Sequence, residues 1–417
     1  MNKYKVVRNT KYDYTGQSYS SIYPNLHRYP ASMIPQIGID LLKEFKISSG
    51  NMHKQSLLDP YCGSGTSFIC GLECGIKKMS GFDINPLAVL ISKAKYTKIK
   101  LNEIENEYKK LRNNVFEIMK NEKLIKKINV PEITNIYFWF SEIVVKNLSV
   151  IKYCLDNLEN EKIKNLFLVP FSETVRECSY TRNNEFKLYR MKPEEISNFN
   201  PDVLSFYFKK LNDTIDCYKL FYLPKLEKDT SVKIHSKPFK KEKNAFDIVL
   251  TSPPYGDSRT TVAYGQFSTL SNEWLGINNA RKIDGMLMGG NRVLELMINN
   301  CMAESIQKIE TVDRKRALEV SSFYFDLEDS INNVAKNINK NGIVIYVVGN
   351  RTVKNVTLPT DQFIAETFEK NGFKHITTYE RALSNKAMPS RNSPTNVAGK
   401  TVNTMLYEYI VVCKNAG

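Results

Sequence analysis

Gln55-Ser56-Leu57-Leu58-Asp59-Pro60-Tyr61-Cys62-Gly63-Ser64-Gly65-Thr66 is the stretch on which the fold turns. Gln55 to Leu58 reads as a short strand that stops at Asp59-Pro60, since proline cannot donate to a strand ladder. A glycine-bearing turn follows, and a helix is expected from Thr66 to Glu73. The glycines let backbone approach a ligand closely, and amides at a helix start favour an anionic group. A plain tight turn would account for them equally well, and no Lys follows Gly65, so this is not a Walker phosphate loop.

Downstream, Lys78 to Phe82 reads as the next strand and Pro86 to Lys95 as the next helix. That βαβα alternation is the signature of a parallel sheet covered by helices on both faces. Asp83 ends the second strand in Gly81-Phe82-Asp83-Ile84-Asn85-Pro86. An acid there is a helix cap when taken alone, and behind a glycine turn it reads as an acceptor for ribose hydroxyls. Upstream, residues 1–26 are polar and Tyr-rich and read as an irregular arm, followed by an amphipathic helix from Met33 to Phe45.

The alternation stops near residue 100. From there to about 230 the pattern is helical, as in Leu101 to Lys123 and Ile143 to Leu158, so residues 101–230 are expected to be a mainly helical insertion. Strands resume at Phe246 to Leu250, and recur at Ile343 to Val348, Lys374 to Tyr379 and Met405 to Val412. Helices are expected at Phe323 to Ile338 and Asp361 to Lys370. The last two strands read as an antiparallel hairpin closing the sheet. Residues 256–320 read as a long functional loop or a small helical excursion. The expected fold is thus α/β: a Rossmann-like, mostly parallel sheet over 1–100 and 231–417, split by the insertion.

Composition narrows the function classes. The chain has 417 residues, 42% hydrophobic and 25% charged, which excludes disordered, collagenous and low-complexity classes. With 59 Lys+Arg against 44 Asp+Glu the net charge is +15, which suits a polyanionic partner, although a generally Lys-rich chain would show the same balance. The 8 Cys form no Cys-x-x-Cys pair and suggest neither a disulfide framework nor a metal site. No secretory h-region and no long apolar run is visible, so a cytoplasmic protein without membrane association is expected.

The second sharp motif is Thr251-Ser252-Pro253-Pro254-Tyr255, directly after the apolar run Ile248 to Leu250. Two prolines hold a rigid loop at the carboxyl edge of the sheet, where ligands bind in this architecture. A hydroxyl, a fixed carbonyl and an aromatic face are presented together. A packing Tyr on a Pro-Pro loop is the plainer reading of such a string by itself.

Taken in order, these motifs resemble the amino-group DNA methyltransferases that use S-adenosylmethionine. Asp59, Pro60, Tyr61, Gly63, Ser64, Gly65 and Thr66 look like their cofactor motif, Asp83 with Ile84 like their ribose-binding acid and its neighbour, and Thr251 to Tyr255 like the catalytic motif of the cytosine-N4 branch. His27-Arg28-Tyr29-Pro30-Ala31 resembles the segment packing on the methionine end of the cofactor, which assigns His27, Tyr29 and Pro30 to that site and Thr251 to its edge. Phe171 to Arg176, Glu185 to Arg190 and Lys386 to Pro394 resemble segments of restriction-modification methyltransferases. One departure is at Val232 to Ser236, where family members often carry an acid near the cofactor adenine and this chain has His235 and Ser236.

The resemblance implies a site-specific enzyme that methylates N4 of cytosine in double-stranded DNA, rotating the base out of the helix, with a cognate restriction endonuclease as a further partner. Ser252 and the Pro253 carbonyl would accept the amine hydrogens, Pro254 would stiffen the loop and Tyr255 would stack on the base. Arg176, Arg182, Lys187, Arg190, Arg259, Lys386 and Arg391 are the candidate DNA contacts, with the helical insertion as the target-recognition region. Adenine-N6 methylation is the nearest alternative, and RNA, protein or small-molecule methylation a further one. Carbon-5 methylation needs a Cys after Pro, and the chain has no Pro-Cys pair; Cys62 reads as a packing residue. Glu185-Phe186-Lys187 has a nuclease-like shape without the upstream Pro-Asp. A purely binding protein would leave the Ser252 motif unexplained.

Overall fold

A computed structural model describes residues 3–15, 22–30, 33–45, 52–182, 185–240, 242–257, 262–291, 293–383, 391–392, 402–403 and 405–417. Its frame follows from strand periodicity. Leu57 and Leu58 are neighbours on β2 (Ser56–Asp59), so their side chains leave on opposite faces, and each enters a different core. The same division separates Ile248 and Leu250 from Val249 on β5 (Phe246–Thr251). A sheet apolar on both faces must be covered on both, and helices cover it.

The main sheet also contains β1 (Val6–Arg8), β3 (Lys78–Asp83), β4 (Ser231–Ser236), β6 (Ile338–Val348), β7 (Phe373–Ala382) and β8 (Tyr407–Asn415). The order is β1-β7-β8-β6-β5-β2-β3-β4. All pairings are parallel except those of β8, which runs against both β6 and β7. The expected antiparallel closure is therefore present, made by one reversed strand slipped between two parallel ones. The strand order reverses between β2 and β5, and a crevice opens at their carboxyl ends.

One face carries α1 (Pro35–Glu44), α2 (Thr66–Glu73) and α3 (Pro86–Tyr96), and the other carries α10 (Arg314–Ala335) and α11 (Thr360–Lys370). Between α3 and β4 lie α4 (Leu101–Met119), α5 (Glu142–Asp156), α6 (Glu161–Glu177) and α7 (Val203–Cys217), with no strand of the main sheet among the described residues there. These helices share a core with the first face: α6 packs on α3 and on α8 (Tyr264–Trp274). A π-helical turn, Tyr218–Tyr222, ends α7 and aims Tyr218 at Thr97 (2.7 Å) and Tyr222 at Pro24 (2.8 Å).

Two expectations change. The amino-terminal arm is not wholly irregular, because Val6 to Arg8 add a strand beside Thr378 to Glu380. That pairing spans nearly the whole chain, so no local pattern announces it. The 256–320 stretch is the helical excursion, with α8, a short turn Ile283–Met286 and α9 (Ala303–Val312).

Candidate active site

Asp59 ends β2 and is buried, with both carboxylate oxygens engaged inside the protein. Oδ1 accepts from Thr251 Oγ1 at 2.5 Å and from the Tyr61 amide at 3.0 Å, and Oδ2 accepts from Ser67 Oγ. Thus the first residue of the Ser252 loop is tied to the cofactor-type turn. Burial pushes the Asp59 carboxyl up to about 6, against those hydrogen bonds.

The turn itself is held from behind. Gly63 and Gly65 both have positive φ, and a Cβ at Gly65 would lie 2.8 Å from Ser92 Oγ and from the Tyr96 ring. Three successive carbonyls accept from α3: Gly63 from Ser92 (2.8 Å), Ser64 from Lys95 (2.9 Å) and Gly65 from Tyr96 (2.5 Å). The amides of Gly63 and Gly65 are also engaged, with Asp83 and Cys62. The amide cradle expected from the glycines is therefore largely used inside the protein.

Asp83 ends β3, and its two oxygens accept from the amides of Gly63 (2.9 Å) and Asn85 (2.8 Å). A carboxylate has about four acceptor positions, so capacity for ligand hydroxyls remains. Burial holds this carboxyl at about 6 as well. Asn85 caps α3 and donates to Tyr29 Oη at 3.1 Å and Ser268 Oγ at 3.0 Å, placing Tyr29 beside the crevice.

Ser252 follows β5. Its Oγ donates to Tyr255 Oη at 3.4 Å, and Tyr255 donates to Glu408 Oε1 on β8 at 2.9 Å. Glu408 is paired with Arg381. Two residues on, Asp257 accepts from Arg316 and Arg351, each at 2.8 Å. A Cβ at Gly256 would lie 2.3 Å from Arg351 Nη1, so a side chain there would displace that guanidinium. Burial opposes ionisation of Asp257, but the two arginines hold it down at about 2.

These elements line an open cleft at the carboxyl ends of β2, β3 and β5. Of the sequence candidates, Tyr29, Asp59, Tyr61, Gly63, Ser64, Thr66, Asp83, Ser252 and Pro254 line it. His27, Pro30, Pro60, Gly65, Ile84, Thr251, Pro253 and Tyr255 stand outside that lining. Met33, Ser67, Asn85, Tyr264 and Leu287 line it unforeseen; Asn85 had a signal, as the cap before Pro86, while Tyr264 and Leu287 had none. Cys62 lines the cleft as well, although it was read as a packing residue; it is buried, with its thiol pushed well up by burial. His235 stacks on Phe82 at 4.5 Å rather than facing the cleft.

Among the basic candidates, Arg176 requires correction. It is 4% exposed, donates to the carbonyls of Phe267 and Glu185, and lies 4.2 Å over the Phe267 ring. Its guanidinium is consumed inside the protein, so it offers nothing to DNA. Arg182 is exposed, Lys187 and Arg190 are half-buried, and Arg190 rests on Phe138 and Tyr180. Arg259 and Lys386 lie outside the described residues, as does the side chain of Arg391.

The paired carboxylates at adjacent strand ends, with Tyr29, Tyr61 and Tyr264 around them, fit a nucleoside cofactor. No group of His, Cys, Asp and Glu suited to a metal occurs among the described residues, and no described helix is long and apolar enough to cross a membrane.

No protein-family model matches the chain. It is 40% identical over 415 residues to the type II methyltransferase M.MvaI of Kocuria varians, covering 93% of this chain and 90% of that protein. It is also 26% identical over 205 residues to the type II methyltransferase M.MjaII of Methanocaldococcus jannaschii, covering 46% of this chain and 36% of that one. The solved rRNA methyltransferase AviRa of Streptomyces viridochromogenes aligns with 93% of this chain and 88% of its own at 8% identity and a TM-score of 0.29, a level that adds nothing to the fold. On the extent of the first match, with S-adenosylmethionine as its methyl donor, the chain belongs to the type II DNA methyltransferase family.

Proposed function

We propose that this protein transfers the methyl group of S-adenosylmethionine to the exocyclic N4 amine of cytosine at a specific site in duplex DNA, protecting that site from a cognate restriction endonuclease. One observation carries the base assignment: the Ser252 side chain stands in the wall of the cleft lined by Asp59, Asp83 and the glycine turn, a hydroxyl bearer at the position where the adenine-N6 branch of the family resembled has Asp or Asn.

An exocyclic amine conjugated with its ring is a poor nucleophile, so catalysis rests on orientation and charge placement. When bound, the cofactor supplies an electrophilic methyl sulfonium. The Ser252 hydroxyl lies 3.4 Å from Tyr255 Oη, whose own proton goes to Glu408, and its two lone pairs are available to accept from the amine. The other amine hydrogen is assigned to the carbonyl of Pro253, which adjoins Ser252 in the loop although it stands outside the cleft lining. Thr251, held by Asp59, and Asp257, held by two arginines, fix the loop at both ends. The stacking face for a base turned out of the helix is assigned to Tyr255, whose ring is partly buried against the core beside the cleft.

DNA contact is assigned to the helical segment 101–230. Supporting this are Arg182, Lys187 and Arg190 beside the exposed rings of Tyr137, Phe138, Phe186 and Tyr189, together with the +15 charge. Incubation with mixed-sequence duplex DNA and labelled cofactor, followed by nucleoside mass spectrometry, tests the reading. Label in N4-methylcytosine is expected. Label in N6-methyladenine would overturn the base assignment.

A further inference from the structure

Lys95 is an unusual residue to find behind a cofactor turn. It is 1% exposed at the end of α3, and its ammonium donates to two neutral oxygens, Asn25 Oδ1 and the Ser64 carbonyl, each at 2.9 Å. The Tyr222 ring lies 5.4 Å away. Among the described residues no carboxylate lies within ion-pair distance of it. Burying an ammonium without an anion is costly, and buried lysines are ordinarily paired. Burial pulls its pKa down to about 7.

Lys95 also lines a small second cavity with Tyr23, Asn25, Thr66, Tyr96 and Tyr222. That cavity shares Met33 and Thr66 with the active-site cleft, so the two adjoin across one wall. An ammonium with three donors and two neutral acceptors has one donor left for an anion entering from that side. The cofactor carries a single carboxylate, at its methionine end.

We propose that Lys95 receives the carboxylate of S-adenosylmethionine and so sets the preference of this enzyme for the intact amino-acid end of its cofactor. The inference rests on the cofactor and not on the target base. Asn25 then fixes the ammonium between the amino-terminal arm and the glycine turn.

Calorimetric titration of the full-length protein with S-adenosylmethionine and with decarboxylated S-adenosylmethionine tests this. The wild type is expected to bind the intact cofactor more tightly by about 10- to 100-fold, the range of a charge-assisted hydrogen bond. Lys95→Met should bind the two alike, and Lys95→Arg should keep part of the preference. Should Lys95→Met fail to fold, Asn25→Asp, which sets an acid against Lys95 inside the cavity, should weaken the intact cofactor selectively. Equal loss for both ligands in either folded variant, or no preference in the wild type, overturns the proposal and leaves Lys95 as a brace for the turn. Base identity in the product is unaffected by any of these outcomes, so the two proposals fail separately.

Discussion

In the proposed reaction Ser252 helps the amine as an acceptor, and a chain of hydroxyls leading to Glu408 lies beside it. Each hydroxyl has one proton, and the Glu408 carboxylate claims the Tyr255 proton, so Ser252 in turn donates to Tyr255. Ser252→Ala should therefore lower single-turnover methylation by about 10²- to 10³-fold, as loss of one preorganised partner does, with cofactor affinity unchanged. Near-normal turnover would remove Ser252 from the chemistry. Asp83→Ala should show the opposite division, weakening cofactor binding in a calorimetric titration while DNA affinity in a gel-shift assay stays put. His27 is different again: it is buried, and neither ring nitrogen finds a hydrogen-bond partner. Burial lowers its pKa to about 4, below the 6.5 of the unfolded chain, so the unfolded state takes up the proton first and stability falls as pH drops from 6.5 towards 4. Thermal melts of His27→Leu should lose that slope and show no penalty at pH 7, since removing an unpaired buried polar group costs little.

At the level of elements, the Ser252 loop is a bridge with two abutments. Asp59 of β2 holds its start, and Arg351 after β6 with Arg316 of α10 holds Asp257 at its end. Removing one member of a buried ion group leaves the others uncompensated, so Asp257→Asn should cost about 3–5 kcal/mol of stability by chemical denaturation. The sign with pH is fixed. The folded pKa, about 2, lies below the 3.8 of an unfolded aspartate, so the stabilisation is complete above 3.8 and is lost as pH falls through that window. The loop itself was plain in the sequence, because Ser-Pro-Pro-Tyr after an apolar strand has few structural readings. Its abutments were not, because the Thr251 bond to Asp59 and the Asp257 bond to Arg351 join residues far apart in the chain. Local pattern carries strands, turns and caps, while partners arise only when the strand order brings edges together.

For the molecule as a whole, the same distinction separates charge from its use. The +15 balance suggested a polyanionic partner, but a count of arginines cannot tell a surface cation from a buried strut, and Arg176 is a strut between α6 and α8. Arg182 is exposed, and Lys187 and Arg190 sit in the same loop beside exposed aromatics. If that loop meets the DNA backbone, each phosphate contact adds about 0.9 to the slope of log affinity against log salt concentration. Replacing Arg182 and Lys187 together with Ala should then flatten the slope by about 1–2 and weaken binding to all sequences alike, leaving cofactor affinity intact. Arg176→Ala should instead lower the melting temperature and leave the slope of the folded protein unchanged. An unaltered slope in the Arg182 and Lys187 double variant, with methylation of DNA retained, would move the DNA-binding surface away from this loop.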